Sequence, residues 1–396
     1  MSSWSTTSRA ALISAVTIAV GCLFVSAYAL ALGDPMPRSI DAALVGNGAA
    51  HPQIVVDVQR VAGGSLIFRD YPSRPAAFHA IDLQQVYAAL DLRTTRPTLY
   101  VASASGASVA RVLEEAPRID PRIRVIDTHP LQRSDPGGLV IFYLTVTATI
   151  VGFATVFQVR TNATGLSLRR WVVFVCALAV VGALVLTLLV GPVLHRLALP
   201  VAETWGLLGL QLITAAAFAS AMALAAGRWA VVPTWVLFIV LGNTSSGGAV
   251  SPPLLPPPFA LISQWLPPGA TVTALRDAVY FHAYQHIQPV AVSAAWAVGC
   301  LGTMVVLARR AGVSPDGQAQ AVAAGSPLTP VLQRPVEDHA VVWELVQRIT
   351  KVSELVRARM DRLGEIDVAS QDVLIDVVRA LEEQQWMLRV QLTGRS

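Results

Sequence analysis

Six long stretches without charged side chains constrain the fold of this chain more than any other feature. Each is about 20 residues long, the length that a helix needs to cross the hydrocarbon core of a bilayer. They lie near residues 11–32, 138–158, 171–193, 205–227, 229–250 and 287–308. Because a chain inside a bilayer must satisfy its own backbone hydrogen bonds, we expect a helix at each place. The predicted fold class is an α-helical integral membrane protein with six transmembrane helices.

The distribution of charge argues against a nucleic-acid partner. Charged residues make up only 14% of the chain, and the formal net charge is +4. The excess of arginine lies near the N-terminus and in short loops between the apolar stretches, rather than in the larger polar regions 33–137 and 309–396. Arginines in such loops set the orientation of membrane helices and do not form the clustered basic face with which proteins bind nucleic acids.

The positions of these arginines predict the topology. Arg9 precedes the first stretch, Arg160 follows the second, Arg228 separates the fourth from the fifth, and Arg309 follows the sixth. Since positive residues are retained on the cytoplasmic side, both termini are expected in the cytoplasm and the protein in the bacterial cytoplasmic (inner) membrane. Arg196, in a predicted outer loop, is the exception.

Residues 1–32, which comprise the first apolar stretch and the polar residues before it, have two interpretations. A basic residue before an apolar run is typical of a secretory signal peptide. The apolar run continues to Leu32, however, which is long enough to span a bilayer. We therefore expect an uncleaved first transmembrane helix.

Residues 33–137 are predicted to form an extracytoplasmic α/β domain. Residues 54–58, 98–102 and 122–126 are rich in β-branched and aromatic side chains and are expected to be strands, and 107–116 is expected to be a helix. The aspartates and histidines of this region show no spacing typical of a metal or catalytic site. They are expected to be solvated surface.

The membrane region 138–310 contains an unusual segment at 242–286. Consecutive prolines there cannot continue a helix, so the segment is expected to dip into the outer leaflet or to lie at its surface. We consider it either a gate or substrate path or a passive loop cap. The residues of the predicted gate or path are Gly242, Asn243, Ser246, Gly247, Pro252, Pro253, Pro267, Pro268, Gly269 and Arg276.

His282 and His286 have a metal-ligand spacing but no third ligand in the pattern, so they are expected to be interfacial histidines rather than metal ligands.

The C-terminal region changes in character. Residues 311–335 are rich in Gly, Pro, Ala and Gln and are expected to be a linker. Residues 336–396 are expected to form a cytoplasmic helical hairpin whose apolar stripes a single hairpin cannot bury. Trp343, Leu374, Leu381 and Trp386 are the predicted packing residues, and the simplest partner is a second copy of the chain, which makes a homo-oligomer.

Residues from about 10 to 310 resemble the YhgE/phage-infection-protein group, within the type-2 ABC exporter permeases. The similar elements occur in order: Gly242-Asn243, Ser246-Gly247, Pro252-Pro253, residues 266–270 (Leu-Pro-Pro-Gly-Ala), and Arg276 with Tyr280-Phe281. Members often carry an acidic residue after the proline pair, where this chain has Leu254 and Leu255. The resemblance implies export of a hydrophobic or amphipathic compound.

The tail resembles a second family. Residues 357–367, 370–375 and 381–389 are similar to the C-terminal end of Dps, the ferritin-like protein of starved cells. The ferroxidase ligands of that family lie on two earlier helices that have no equivalent here. We therefore expect a borrowed packing module or a fragment from gene fusion, without iron storage or DNA binding.

Several motifs are missing from the sequence. Lys351 is the one lysine, and no glycine-rich phosphate loop precedes it, so the chain carries no P-loop ATPase of its own. No GxSxG or HExxH motif occurs either. We expect no enzyme activity and no cofactor.

The favoured function is a permease of the type-2 ABC class that works with a separate ATP-binding subunit. The alternative is a non-transporting membrane scaffold or envelope-assembly protein.

Overall fold

A computed structural model of the chain describes residues 6–162, 166–311, 338–363 and 368–393. These residues belong to two compact units that divide between Gly317 and Gln318. The predicted linker 311–335 lies, apart from Ala311, outside the described residues.

The first unit contains both membrane helices and a small sheet. Its helices in the described ranges are α1 (Thr6–Leu32), α2 (Pro52–Val61), α3 (Arg74–Asp82), α4 (Ala107–Leu113), α5 (Ala116–Ile119), α6 (Val140–Asn162), α7 (Leu168–Leu188), α8 (Val201–Ala226), α9 (Val231–Trp235), α10 (Pro257–Ser263), α11 (Pro267–Tyr280) and α12 (Ile287–Arg310). Its strands are β1 (Ile40–Val45), β2 (Leu66–Tyr71), β3 (Ala88–Asp91), β4 (Thr98–Val101) and β5 (Arg124–Asp127). Wider, π-helical turns extend α7 over Leu189–Val193 and α9 over Val236–Asn243.

Five segments of the described chain are long and apolar enough to cross a membrane. They are Ala11–Leu32, Val140–Asn162, Leu168–Val193, Val201–Asn243 and Ile287–Arg310. Four of them coincide closely with predicted spans. The 43-residue segment Val201–Asn243 covers the predicted fourth span and most of the predicted fifth.

The chain reverses its direction inside this long segment. Gly227 ends α8 with a φ of +57°, a conformation that favours glycine. The rings of Phe218 and Phe238 lie 5.5 Å apart, edge to face. On one straight helix, residues 20 positions apart would be separated by about 30 Å. The part after Gly227 therefore packs back against α8.

α8 is the central helix of the membrane layer and packs against α6, α7, α11 and α12. Small residues make this packing close. A Cβ atom added to Gly152 on α6 would lie 2.9 Å from the Cβ atom of Ala215 on α8. Close backbone approach at small residues is how membrane helices gain van der Waals contact.

The strands form one mixed sheet in the order β2-β1-β3-β4-β5. β1 is parallel to β2 and β3, β3 and β4 are antiparallel, and β4 and β5 are parallel. Alternate side chains of a strand point to opposite faces, and both faces are covered. One face packs against α2 and α4, with Leu44 and Val58 in its core, and the other against α3, with Val45 and Ile81 in its core. This sheet domain is therefore a three-layer α/β unit.

Two of the three predicted strands are confirmed, and one is wrong. β4 coincides with the predicted strand 98–102, and β5 begins two residues after the start of the predicted strand 122–126. Residues 54–58 form part of α2 instead. Pro52 occupies the first turn of that helix, where its missing N–H has no cost, and Ile54 and Val58 share its buried face. The β-branched composition alone was misleading. The predicted helix 107–116 is confirmed over residues 107–113 by α4, in which Val109 and Leu113 are buried.

The second unit is a pair of helices, α13 (Asp338–Leu363) and α14 (Val368–Thr393). Gln385 donates a hydrogen bond to Thr350, and Arg357 forms an ion pair with Glu382. Val346 and Val378 are buried between the two helices. Of the predicted packing residues, Leu381 is half-buried, Trp343 and Trp386 are 55% and 65% exposed, and the side chain of Leu374 lies outside the described part.

Candidate functional site at the joint of the sheet domain and the membrane helices

The proline-broken segment 242–286 connects the sheet domain to the membrane helices. After Asn243 the chain bends, forms a short 3₁₀ turn at Pro252–Leu254, and continues into α10 and α11. Its first part packs against the sheet domain, and α11 packs among α6, α8 and α12. We refer to residues 242–286 as the joint segment.

The first part of the joint segment is embedded in the sheet domain. Leu254 is 2% exposed and belongs to the hydrophobic core of that domain. Ser108 Oγ donates to Ser251 Oγ over 2.7 Å and accepts from the backbone N–H of Ser251 over 2.8 Å. A Cβ atom at Gly106 would lie only 2.8 Å from Ser251 Oγ. The contact therefore depends on small residues on both sides.

Asp277, on α11, is the one acidic residue in the sequence of the joint segment, and it is 1% exposed. Gln84 of the sheet domain donates to its Oδ1 over 2.7 Å. The backbone N–H of His286 donates to its Oδ2 over 3.1 Å, and His286 Nδ1 lies 3.2 Å from the same oxygen. This carboxylate therefore joins α11, the start of α12 and the sheet domain in one cluster.

Arg276 precedes this aspartate and contacts the loop that follows Asn243. Its Nη2 donates to the carbonyl oxygen of Gly247 over 2.9 Å. Tyr87, Asp277 and Tyr280 are the ionisable groups next to its guanidinium. Arginine keeps its charge in proteins, so the group is a fixed cation at the joint.

Aromatic contacts complete the outer edge of the joint. The rings of His129 and Phe281 are stacked, with centroids 5.1 Å apart. The ring of His79 meets the ring of Tyr284 at 5.6 Å. His129 Nε2 also lies 3.3 Å from a carboxylate oxygen of Asp82. These contacts correct the expectation that the histidines and aspartates of the sheet domain are all solvated surface.

α11 is too short to cross a membrane and is buried on nearly all sides. Its 14 residues rise about 21 Å, less than the roughly 30 Å of a hydrocarbon core. Eleven of them are buried, so α11 is enclosed by other parts of the protein. A Cβ atom on Gly242 would lie 2.7 Å from Pro268 Cγ, and one on Gly269 would lie 1.8 Å from the carbonyl oxygen of Ser263. Glycine is needed at both positions for the short helix to pack.

A buried polar cluster holds α11 inside the membrane layer. Gln211 of α8 donates to Thr149 Oγ1 of α6 over 2.7 Å and accepts from Thr271 Oγ1 of α11 over 2.9 Å. All three side chains are at most 1% exposed. Buried polar groups in a bilayer need such partners, and the cluster links the three helices directly.

The ten predicted gate residues lie in one continuous region of the structure. Gly242 contacts Pro268, Gly247 contacts Pro252 and Arg276, and the Pro253 carbonyl accepts from the backbone N–H of Arg38. Sequence reasoning missed Gln84, Ser108, Gln211, Leu254 and Asp277. A signal existed for Asp277, since it and Glu203 are the two acidic residues between positions 138 and 311.

The site consists of charged and polar side chains that connect the sheet domain to the joint segment. Among the described residues, no group of three His, Cys, Asp or Glu side chains is placed to hold a metal ion. The hydrogen bonds of Gln84 with Asp277 and of Ser108 with Ser251 connect the sheet domain to the joint segment. Movement of one layer would therefore be transmitted to the other.

Comparison with known proteins identifies no relative. No protein-family model matches the chain, and no curated protein or solved structure is significantly similar to it. The fold alone defines the class: a protein with helices long and apolar enough to cross a membrane, joined to a mixed α/β sheet domain.

Proposed function

We propose that the protein is a membrane permease that exports a hydrophobic or amphipathic compound, with a separate subunit supplying ATP hydrolysis. The observation that carries the proposal is α11, a helix too short to span, enclosed by α6, α8 and α12. Non-helical backbone at membrane depth is tolerated only against protein or a water-filled cavity, and broken helices mark the transport path in many carriers. In this proposal the joint segment moves during export, and the sheet domain, which packs against it, controls that movement from the outer side.

Six crossings accord with the reversal at Gly227. The 43-residue segment Val201–Asn243 would supply the fourth and fifth crossings, one on each side of that glycine. The arginines at positions 160, 169, 170, 228, 309 and 310 would then share the cytoplasmic face, as would both termini. The sheet domain would lie outside the cell.

Energy for export would come from another chain. The sequence has no P-loop. The acidic residues between positions 138 and 311 are Glu203, an exposed residue at the start of α8, and Asp277, whose carboxylate accepts bonds from Gln84 and His286. Neither is a free carboxylate at the centre of a span, which an ion-coupled carrier usually needs.

Export is testable with a lipophilic fluorescent dye. Cells that express the chain together with its partner ATPase are expected to retain less dye than cells with an empty vector. Depletion of ATP should remove the difference, while collapse of the proton gradient alone should not. Equal dye retention with and without the chain would count against transport of such compounds.

The six-span topology predicts which positions react with a membrane-impermeant maleimide. Thr95→Cys, at an exposed position of the sheet domain, is expected to be labelled in intact cells. Ala311→Cys, directly after Arg310, should be labelled only after the cells are opened. The parent chain, with its three native cysteines, gives the background. Labelling of Ala311→Cys in intact cells would contradict the topology.

A second candidate function is a non-transporting scaffold, and the tail favours it. α13 and α14 leave large apolar side chains uncovered in the described part. Those more than 40% exposed are Trp343, Leu345, Leu355, Trp386, Met387 and Val390. Such a surface would be covered by a second copy of the tail, and an assembly of this kind suits an envelope scaffold as well as a dimeric permease.

Residues 331–396, expressed alone, are expected to be helical and to self-associate without binding ferrous iron or DNA. Trp386→Ala should weaken the association strongly, because truncation of a buried aromatic side chain costs about 3–5 kcal/mol. Gln384→Ala, at a neighbouring exposed position, is the matched control and should have little effect. Sedimentation velocity measures the association. A strictly monomeric fragment would refute the packing module, and rapid iron oxidation would restore the ferritin-like alternative.

A further inference from the structure

A cleft of about 380 Å³ lies between α8 and α12. This volume is within the range of pockets that hold small ligands. Its walls are apolar or small side chains, among them Phe218, Met222, Trp296, Gly299 and Thr303. The indole N–H of Trp296 is already bonded to the carbonyl oxygen of Trp265 over 2.8 Å, so its ring serves as an apolar wall.

The two helices that form the cleft begin at the same membrane face. Gln285, just before α12, donates to Glu203 in the first turn of α8 over 2.8 Å. α8 has 26 residues and α12 has 24, so they rise about 39 and 36 Å. Their far ends therefore reach the opposite face together.

Arginines follow the cleft at that opposite face. Arg228 comes six residues after Met222, and Arg309 comes six residues after Thr303. α8 continues for four residues after Met222, a rise of about 6 Å, before the turn that holds Arg228, and Arg309 lies about 9 Å beyond Thr303 on α12. Both arginines therefore lie at the level of the polar headgroup layer when the cleft lies in the hydrocarbon. Arg310 adds a third cation at the end of α12.

In the part of the chain that the structure describes, no acidic side chain pairs with these three cations. Each is exposed, and none forms an ion pair with a residue in the described ranges. Glu203 and Asp277 are the acidic residues of the membrane region 138–311, and both belong to the other face, where α8 and α12 begin. The end of the cleft therefore combines an open apolar wall with unbalanced positive charge.

We propose that this cleft is a binding site for an anionic phospholipid, with one acyl chain between α8 and α12 and the phosphate at Arg228, Arg309 and Arg310. Basic pockets between membrane helices bind anionic headgroups through such cations. The wall is open at Gly299, where an added Cβ atom would meet no atom within 4 Å. A second copy of the chain is the less suitable occupant, because two-fold symmetry would bring the same arginines of both copies together.

Native mass spectrometry of the full-length protein tests the site. The protein would be purified in detergent with equal amounts of phosphatidylglycerol and phosphatidylcholine, and the retained lipids counted by class. We expect selective retention of phosphatidylglycerol. Replacing all three arginines by glutamine should reduce the preference by about fivefold for each arginine. Cysteine labelling at position 95 verifies that the orientation of this variant is unchanged.

The cleft itself is tested without changing any charge. Gly299→Leu places a branched side chain in the cleft and is expected to abolish lipid retention. Gly206→Leu is the matched control, since a Cβ atom there also meets nothing within 4 Å but lies on α8 away from the cleft, and it should retain the lipid.

Equal retention of the two lipid classes by the wild type would overturn the proposal, as would unchanged retention by Gly299→Leu. A lipid-free dimer that Gly299→Leu dissociates would show instead that a second copy fills the cleft. The test does not depend on transport.

Discussion

Gly247→Leu is expected to reduce dye export to the level of cells that lack the protein, while the protein remains in the membrane. Gly247 has a φ of +73°, which costs a branched residue roughly 1–2 kcal/mol. A Cβ atom there would also lie 3.1 Å from Pro252 Cγ, and the remaining carbons of leucine would have to displace that ring or the loop. Because Arg276 binds the Gly247 carbonyl, a displaced loop would break the link to α11.

A matched glycine separates backbone strain from the contact at the joint. Gly64 has a φ of +79°, and a Cβ atom there would meet no atom within 4 Å. Gly64→Leu therefore carries the same backbone penalty in the sheet domain without touching the joint segment. It should export dye at nearly the wild-type rate. If Gly247→Leu also exports normally, with equal amounts of both variants in the membrane, the joint segment is not a gate and the scaffold function is favoured.

The helices of the membrane layer could be predicted from the sequence because their signal is local. A run of about 20 apolar residues has one stable solution in a bilayer. The predicted stretches 138–158, 171–193 and 287–308 therefore lie close to the observed segments 140–162, 168–193 and 287–310. The reversal at Gly227 lies between the predicted stretches 205–227 and 229–250, where Arg228 interrupts the apolar run, although the positive φ of the glycine itself is not visible in the hydropathy.

The details of the joint could not be predicted, because its contacts join distant parts of the chain. Gln84 and Asp277 are 193 positions apart, and Ser108 and Ser251 are 143 apart. The rarity of acidic residues in the region 138–311 singled out Asp277, but the sequence does not show which groups enclose it. The glycines and prolines of the joint segment, in contrast, marked the correct region, because each limits its own backbone. The sequence thus predicted where the chain breaks but not what the break contacts.

The helical residues 54–58 show how tertiary packing overrides composition. Ile54, Val55 and Val56 favour a strand by propensity, yet strand preference largely reflects fit to a half-buried sheet surface. Here the positions that are buried, Ile54 and Val58, are four apart, which is a helical spacing. A Pro52 start and a spacing of four were the sequence signals that could have predicted α2.

Asp277→Leu is expected to detach the sheet domain from α11 and to lower the free energy of unfolding by about 2–3 kcal/mol. The substitution removes the acceptor of Gln84 and of the His286 N–H, and a buried donor left without a partner costs about 1–3 kcal/mol. Asp277→Asn keeps one acceptor oxygen but places an N–H₂ group near a donor, so its effect should be intermediate.

Glu203→Gln is the matched control, because Glu203 is the other acid of the membrane region, is exposed, and accepts one bond from Gln285. It should change stability by less than about 1 kcal/mol. Denaturant unfolding in micelles measures the stability, and the rate of proteolysis at the sheet domain measures its attachment. If Asp277→Leu is as stable and as protease-resistant as Glu203→Gln, the carboxylate does not hold the two layers together, and coupling between them must pass through Ser251 and Leu254 instead.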